Sequence, residues 1–364
     1  MINVIFFVTS LQSGGIENYL LRFLENRHQG FAKITVYCKG GIGGQLEEQY
    51  MAIPNVKIIK KKISFFNPLH YTQLKSFLRI NNYDAVCDFT GNFAGAILYF
   101  SKMAGIKKRI VFYRGSTDHF KTNFLKDQYN DFSKKLVLTY ATDILSNSKA
   151  ALNFFFPEKW KNNNRFEVIY NGIDYSKFDV HNEDLRLAFG IPEKAFVVGH
   201  TGRYNKAKNH ATIMKVAEKL TTSNSNIFFI LCGNGVKNNL QKAVESKGLQ
   251  NRILLFENRT DIPMFLRTMD CYYFPSLTEG QPNALIEAMV MNIPIVASNI
   301  DPIKETVPEN LYSFLIDPLD VERASQKILE IHQFKIIQNM RDWTIQNYDS
   351  KKLFQQFYQR FKCQ

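Results

Sequence analysis

Short apolar, β-rich runs alternate with helix-like segments along the whole chain. In the first half the runs are NVIFFVTS, KITVYCK, VKIIKKK, YDAVCDFT, RIVFYR, DILSNS and FEVIYNGI. In the second they are FVVGHTG, IFFILCG, RILLFE, CYYFPS, IPIVAS and YSFLID. Near-continuous apolar runs of this length fit strands covered on both faces. Their alternation with helices predicts parallel sheets joined by crossovers. Strand character lapses in the polar stretch DYSKFDVHNEDLRLAFGIPEKA, which places a domain boundary near residues 174–195. The expected fold class is therefore α/β: two Rossmann-like domains, 1–180 and 181–342, facing a cleft. The last segment, 343–364, spaces Leu353, Phe354, Phe357 and Phe361 at helical intervals. That stripe predicts a helix returning to the N-terminal domain.

The 364 residues are ample for two cores, and 45% hydrophobic with 22% charged residues suits a globular chain. No apolar run approaches the roughly 18 residues of a membrane span. The opening MINVIFFVTS lacks a basic leader and reads as a first strand. The five cysteines form no CxxC or Cys/His cluster, and four lie in or beside strand-like runs. Buried reduced thiols and a cytoplasmic location follow as expectations.

A net charge of +13 admits nucleic acid, an anionic membrane face or a phosphorylated substrate as partner. No nucleic-acid motif is visible, so that partner is not expected. Two clusters mix cations with apolar residues: Lys57, Lys60, Lys61 and Lys62 with Phe65 and Phe66, and Lys121, Lys126, Lys134 and Lys135 with Phe124 and Leu125. Such mixtures suit an anionic lipid surface, here the inner membrane face, although a solvated charged face gives the same pattern.

The stretch TEGQPNALIEAM, 278–289, carries candidate chemistry. It follows a strand end, and Pro282 suits the first turn of a helix running PNALIEAMV. The amides of Asn283, Ala284 and Leu285 would then point out of a helix start whose dipole favours phosphate. Gly280 permits close approach of a ligand, with Gln281 beside it. Glu287 could accept two ribose hydroxyls, and Glu279 lies within reach of whatever the phosphate carries. Equally, Glu279 could merely favour the dipole while Glu287 is an ordinary helical acid.

Other loops after strand ends share this character. GHTGRYNKAKNH sets Gly202, Arg203 and Lys208 after one strand, and ILCGNGVKN sets Gly233 and Gly235 after the next. ENRTDIPMFL, with Arg259, supplies a loop for a base, and TSLQSGGIEN places Gly14 and Gly15 before the first helix. Open α/β sheets bind ligands at such carboxyl ends. Two fixed cations beside a strand-end glycine would neutralise a diphosphate without metal. No DxD occurs in the chain, so neither metal nor cofactor is expected.

Together, GRYNKAKNH, LCGNG and TDIPMFLRTMDCYYFPSLTEGQPNALIEAMVMNIPIVAS resemble the donor-binding half of family-4 glycosyltransferases, which have the GT-B fold. SGGIEN and VIYNGID resemble that family's N-terminal glycine loop and the strand before its linker. The resemblance implies a retaining transferase that moves a sugar from a nucleotide-sugar, expected to be a UDP-sugar, to an acceptor hydroxyl, and suggests a lipid-linked glycan as acceptor. Carried over by motif, Arg203 and Lys208 hold the diphosphate and Glu279 sits by the sugar. Gly280, Gln281, Asn283, Ala284 and Leu285 line the phosphates, and Glu287 binds the ribose. Gly15, Gly202, Gly233 and Arg259 complete the donor site.

There are departures. Relatives often carry a histidine near the end of the strand matching RIVFYRGSTDHF; here Arg114, Asp118 and His119 are the candidates beside sugar or acceptor. Glu257 replaces an expected glycine, and Asn292 another. The rival readings are an epimerase or hydrolase on the same fold, a nicotinamide-dependent dehydrogenase, which lacks a placed GxGxxG, and a charge-driven nucleic-acid binder.

Overall fold

The apolar runs become strands because both of their faces are covered, and a backbone so buried satisfies its amides in a ladder. The computed structural model describes residues 1–64, 67–115, 124–179 and 183–362, without the side chains of 124–127. The chain divides into two compact units: residues 1–172 with 350–364, and residues 173–349.

The first unit holds β1 (Ile2–Val8), β2 (Phe31–Cys38), β3 (Val56–Lys60), β4 (Ala85–Asp88), β5 (Lys108–Tyr113), β6 (Asp143–Ser146) and β7 (Phe166–Val168). They form one parallel sheet in the order β3-β2-β1-β4-β5-β6-β7. The second unit holds β8 (Phe196–Thr201), β9 (Ile227–Cys232), β10 (Ile253–Phe256), β11 (Cys271–Phe274), β12 (Ile295–Ser298) and β13 (Leu315–Ile316). These are also parallel, in the order β10-β9-β8-β11-β12-β13. Both units are Rossmann-like α/β sheets, as the hydrophobic pattern predicts. Every residue of β8, β9, β11 and β12 is buried. The order reverses between β1 and β4 and again between β8 and β11, and such reversals open a crevice at the carboxyl ends.

Two predicted strands shrink at the sheet edges, where one neighbour supplies the whole ladder. YSFLID gives a 3-10 helix, Glu309–Phe314, and only the two residues of β13. FEVIYNGI keeps three residues in β7.

The unit boundaries also differ from the expected 180/181 and 342/343. Ile173 bridges to Asp349, and Phe178 is buried in the second unit, so that unit begins just after Gly172. Helix Arg341–Tyr348 stays with it as well. Asn292, left-handed at φ 56, accepts from the Met340 and Arg341 amides at 2.8 and 2.7 Å, and Tyr348 Oη donates to Thr306 O. The return to the first unit starts at Ser350.

The returning helix, Ser350–Gln359, buries Leu353, Phe354 and Phe357, with Phe361 following. Phe357 lies 4.6 Å from the Phe23 ring and 5.1 Å from Phe112, and Phe361 lies 5.5 Å from Phe6. Arg360 pairs with Asp143 and Glu167 at 2.7 and 2.8 Å. Burying one such phenylalanine contributes on the order of 2–3 kcal/mol.

Cys38, Cys87, Cys232 and Cys271 are buried thiols, and burial pushes Cys38 and Cys232 up to about 11. Lys57, Lys60, Lys61 and Lys62 are exposed along and just beyond edge strand β3, with Lys60 paired to Glu47 at 2.6 Å. Lysines on an edge strand discourage pairing with another chain, a sufficient structural reason for that cluster. Lys134 Nζ lies 5.2 Å from the Phe156 ring centroid. Phe65, Phe66 and Lys121, and the side chains of Phe124, Leu125 and Lys126, lie outside the described residues. Among the described residues no helix is long and apolar enough to cross a membrane.

Candidate active site

The second unit gathers most of the expected residues at the reversal between β8 and β11. β8 ends at Thr201, and Gly202 N–H donates to Cys232 O at 2.8 Å, tying the loop to the end of β9. Gly233 adopts φ +155, and a Cβ there would lie 2.1 Å from Gly202 O. Only glycine lets these two loops pack backbone to backbone. Tyr204 N–H donates to Asn234 O at 2.8 Å, leaving the intervening Arg203 side chain exposed.

A 3-10 turn, Lys206–Lys208, follows; Asn205 Oδ1 accepts the Lys208 amide at 3.0 Å. Asn209 is left-handed at φ 55, and its Nδ2 donates to Pro275 O and Pro318 O at 3.1 and 2.8 Å. Leu277 N–H donates to Ala207 O at 2.7 Å, so the loops after β8 and β11 are joined directly. These links hold Lys208 against Glu279: Nζ donates to Oε1 at 2.6 Å, with the two side chains only 17% and 11% exposed. Lys208 Nζ also lies 4.7 Å from the Phe274 ring centroid.

Beneath the lysine, His200 and His210 meet edge to face at 5.2 Å. His200 Nδ1 pairs with Tyr273 O at 3.0 Å. Burial, then the neighbouring His210 and Lys208, holds His200 well below the usual range; burial and then Lys208 take His210 down to about 4. Both rings are therefore neutral at pH 7, and the positive charge of this corner belongs to Lys208 and Arg203.

Helix Asn283–Val290 begins one residue later than expected. Pro282 is its N-cap, at φ −83 and ψ 79. The three free amides need correction too. Asn283 N–H donates to Gln281 O at 3.1 Å and Leu285 N–H to Pro282 O at 3.0 Å, because the first turn tightens as helix termini commonly do. Of the three, only Ala284 N–H has no backbone acceptor among the described residues. Gly280 and Gln281 thus sit between Glu279 and the helix, Ala284 lies in its first turn, and Glu287 lies about one turn in. Glu287 and Glu279 both add to the upward push that burial exerts on the Tyr272 hydroxyl, so both carboxylates border one side chain.

Other expected residues lie elsewhere. Arg259 follows β10, two strands from the reversal, in a two-point ion pair with Asp261 at 2.8 and 2.5 Å. Its guanidinium also faces the Phe189, Phe256 and Phe265 rings. Gly15 opens the first helix of the first unit, with open space where a side chain would be. Arg114 directly follows β5 of that unit, and Asp118 and His119 lie outside the described residues. Sequence reading missed the positioning roles of Asn205 and Asn209, for which the asparagine-rich loop was the available signal. It singled out Glu257 only as a departure and missed its anchoring role: the carboxylate accepts the Gly235 and Asn238 amides at 2.6 and 3.1 Å.

Cations and a helix start at a sheet reversal form a setting for an anion. Residues 181–347 match the family described as Glycosyl transferases group 1. They are a glycosyltransferase domain. The capsular polysaccharide biosynthesis glycosyltransferase CapH of Staphylococcus aureus is 27% identical over 325 residues, 86% of this chain and 84% of that one. The Escherichia coli UDP-Gal:alpha-D-GlcNAc-diphosphoundecaprenol alpha-1,3-galactosyltransferase is 29% identical over 183 residues, 48% and 47% of the two chains. Among solved structures, Anabaena Alr3699/HepE in complex with UDP and glucose superposes with a TM-score of 0.77 at 20% identity, covering 99% of both chains. With its two parallel-sheet units, the chain has the GT-B fold. Sugar transfer is thereby favoured over the epimerase or hydrolase alternative.

Proposed function

We propose that this chain is a retaining, metal-independent hexosyltransferase of family 4. It would move a sugar from a UDP-sugar to a hydroxyl of a lipid-linked glycan during synthesis of a bacterial surface polysaccharide. The observation that carries the reading is the Lys208–Glu279 pair, held at 2.6 Å at the β8/β11 reversal beside a helix start. The curated relative that uses UDP-Gal and a diphosphoundecaprenol-linked sugar, and the fold relative complexed with UDP and glucose, support the donor and acceptor classes.

In this reading the second unit binds the donor. Arg203, Lys208, the Ala284 amide and the dipole of its helix take the diphosphate. Gly202, Gly233 and Gly280 let backbone approach it, Gln281, Asn283 and Leu285 shape the turn, and Glu287 holds the ribose. Arg259 flanks the base, and the first unit takes the acceptor. As the donor enters, its phosphates compete for Lys208, and Glu279 turns from the ammonium to the hydroxyls of the donor sugar. The bond from the anomeric carbon to the diphosphate oxygen breaks, and the acceptor oxygen bonds to that carbon on the same face. The acceptor proton passes to a donor phosphate oxygen. Charge that develops on the leaving group is stabilised by the fixed cations, which is where rate is gained. The exposed Lys57, Lys60, Lys61 and Lys62 would rest the protein on the anionic cytoplasmic membrane face.

The test is a thermal-shift screen against UDP-, GDP- and ADP-sugars, since a true donor stabilises by mass action. Stabilisation by UDP-sugars that disappears in Lys208→Ala is expected. No response to any nucleotide-sugar would defeat the proposal.

A further inference from the structure

Cations with buried nitrogens in the first unit nearly all find acceptors. Lys39 pairs with Asp88 at 2.7 Å and Lys108 with Asp143 at 3.1 Å. Arg109 donates to the carbonyls of Tyr140 and Ile106, and Arg165 to those of Leu138 and Ala141. Arg114, the residue after β5, is different. Among the described residues, its Nε and Nη1 are buried without a hydrogen-bond partner. Its guanidinium carbon lies 3.7 Å from the Tyr19 ring centroid, and the buried Tyr19 hydroxyl beside it makes no hydrogen bond of ordinary geometry among the described residues. Burial pulls the Arg114 guanidinium down to about 10, and nearby Arg22 opposes its charge further.

One rung along, after β6, Asn147 is buried with its Oδ1 unpartnered, and its amide donates to Tyr113 O at 3.2 Å. Arg114 is half-buried as a residue, and covering two guanidinium nitrogens without an anion is costly, a cost natural chains tolerate where function needs it. The planar fork of an arginine matches the two oxygens of a carboxylate or phosphate.

We propose that Arg114, with Asn147 beside it, forms an oxyanion site at the carboxyl end of the first sheet. Arg114 takes a carboxylate or phosphate group, and Asn147 accepts from a neighbouring hydroxyl. Sugar acids and glycosyl phosphates present that combination. Resting on the transfer reading, the oxyanion belongs either to a uronic-acid sugar or to the phosphate of the acceptor.

The site is tested in full-length protein carrying Arg203→Ala and Lys208→Ala, which silences the phosphate setting of the second unit. Melting temperature is followed with sodium pyrophosphate and with sodium glucuronate, against sodium chloride at equal ionic strength. The parent should be stabilised by at least one probe, Arg114→Lys less so, and Arg114→Met not at all. Unliganded Arg114→Met should melt at or above the parent, because it loses an uncompensated charge; if it does not fold, Arg114→Lys carries the comparison. A response to pyrophosphate alone assigns the oxyanion to an acceptor phosphate, and one to glucuronate alone assigns it to a sugar carboxylate. Equal shifts in parent and Arg114 variants, or no shift in the parent, overturn the site. Failure of UDP-sugars to bind wild-type protein while the Arg114-dependent shift persists removes the transfer reading and leaves the site standing.

Discussion

Lys208 Nζ donates to Glu279 Oε1 at 2.6 Å, joining the loops after β8 and β11 through two largely covered side chains. In the proposed reaction this pair is an anion site held in reserve, because the ammonium already faces a carboxylate that a diphosphate can replace. Lys208→Ala should lower kcat by about 10²–10³-fold, the usual loss when one transition-state donor is removed. The purified variant should keep the wild-type circular dichroism spectrum. Near-normal initial rates with a confirmed donor would show that the lysine takes no part.

The histidine pair predicts a pH dependence of stability. His210 titrates near 4 in the folded chain and near its ordinary 6.5 when unfolded, because burial opposes the charged ring. Between these values the unfolded state binds more protons, so stability is full above about pH 6.5 and is lost as pH falls towards 4. His200 acts in the same direction. Melting curves from pH 7.5 to 4.5 should fall more steeply for wild type than for His210→Gln. Parallel curves would mean that the ring is not buried as described.

Much of this was legible beforehand, for reasons that differ by element. Continuous apolar runs such as IFFILC disclose doubly covered strands because nothing polar interrupts them, and the spacing of Phe354, Phe357 and Phe361 disclosed the returning helix. The loop motifs disclosed Lys208 and Glu279, although no local pattern announces that they touch across 71 residues. Other features depended on tertiary context. The amides of Asn283 and Leu285 are taken by a tightened turn around Pro282, a backbone adjustment no residue pattern prescribes. Arg259 carries its own counterion two residues on, visible in ENRTD only once the loop geometry is known. That Arg114 Nε and Nη1 meet no acceptor among the described residues is likewise a property of packing rather than of spacing.

Gly233 offers a sharper test of the loop arrangement. An added methyl would meet Gly202 O at 2.1 Å, with backbone rather than a yielding side chain as the obstacle. The φ of +155 is also one that side chains rarely adopt. Strain of about 1–3 kcal/mol from the backbone alone is expected in Gly233→Ala, before the clash is counted. Because the displaced loop carries Arg203, stabilisation by UDP-sugars should weaken more than the melting temperature of the unliganded protein falls. Unchanged donor response would mean that the two loops do not act as one support.

The returning helix should be a main source of stability in the first unit. Phe357 is fully buried among Phe23, Phe112 and Phe361, so Phe357→Ala removes a ring from the middle of an aromatic cluster. A cost of about 3–5 kcal/mol is expected, as for large-to-small changes elsewhere. Leu187, 95% exposed, serves as the control, and its replacement by Ala should stay within about 0.5 kcal/mol. The two units are separate compact bodies in the chain, so urea unfolding is best followed with a probe in each. Phe357→Ala should lower the midpoint reported from the first unit and leave the second unit's transition in place. Equal shifts from both probes would show that the units unfold together and that the helix stabilises more than the sheet it covers.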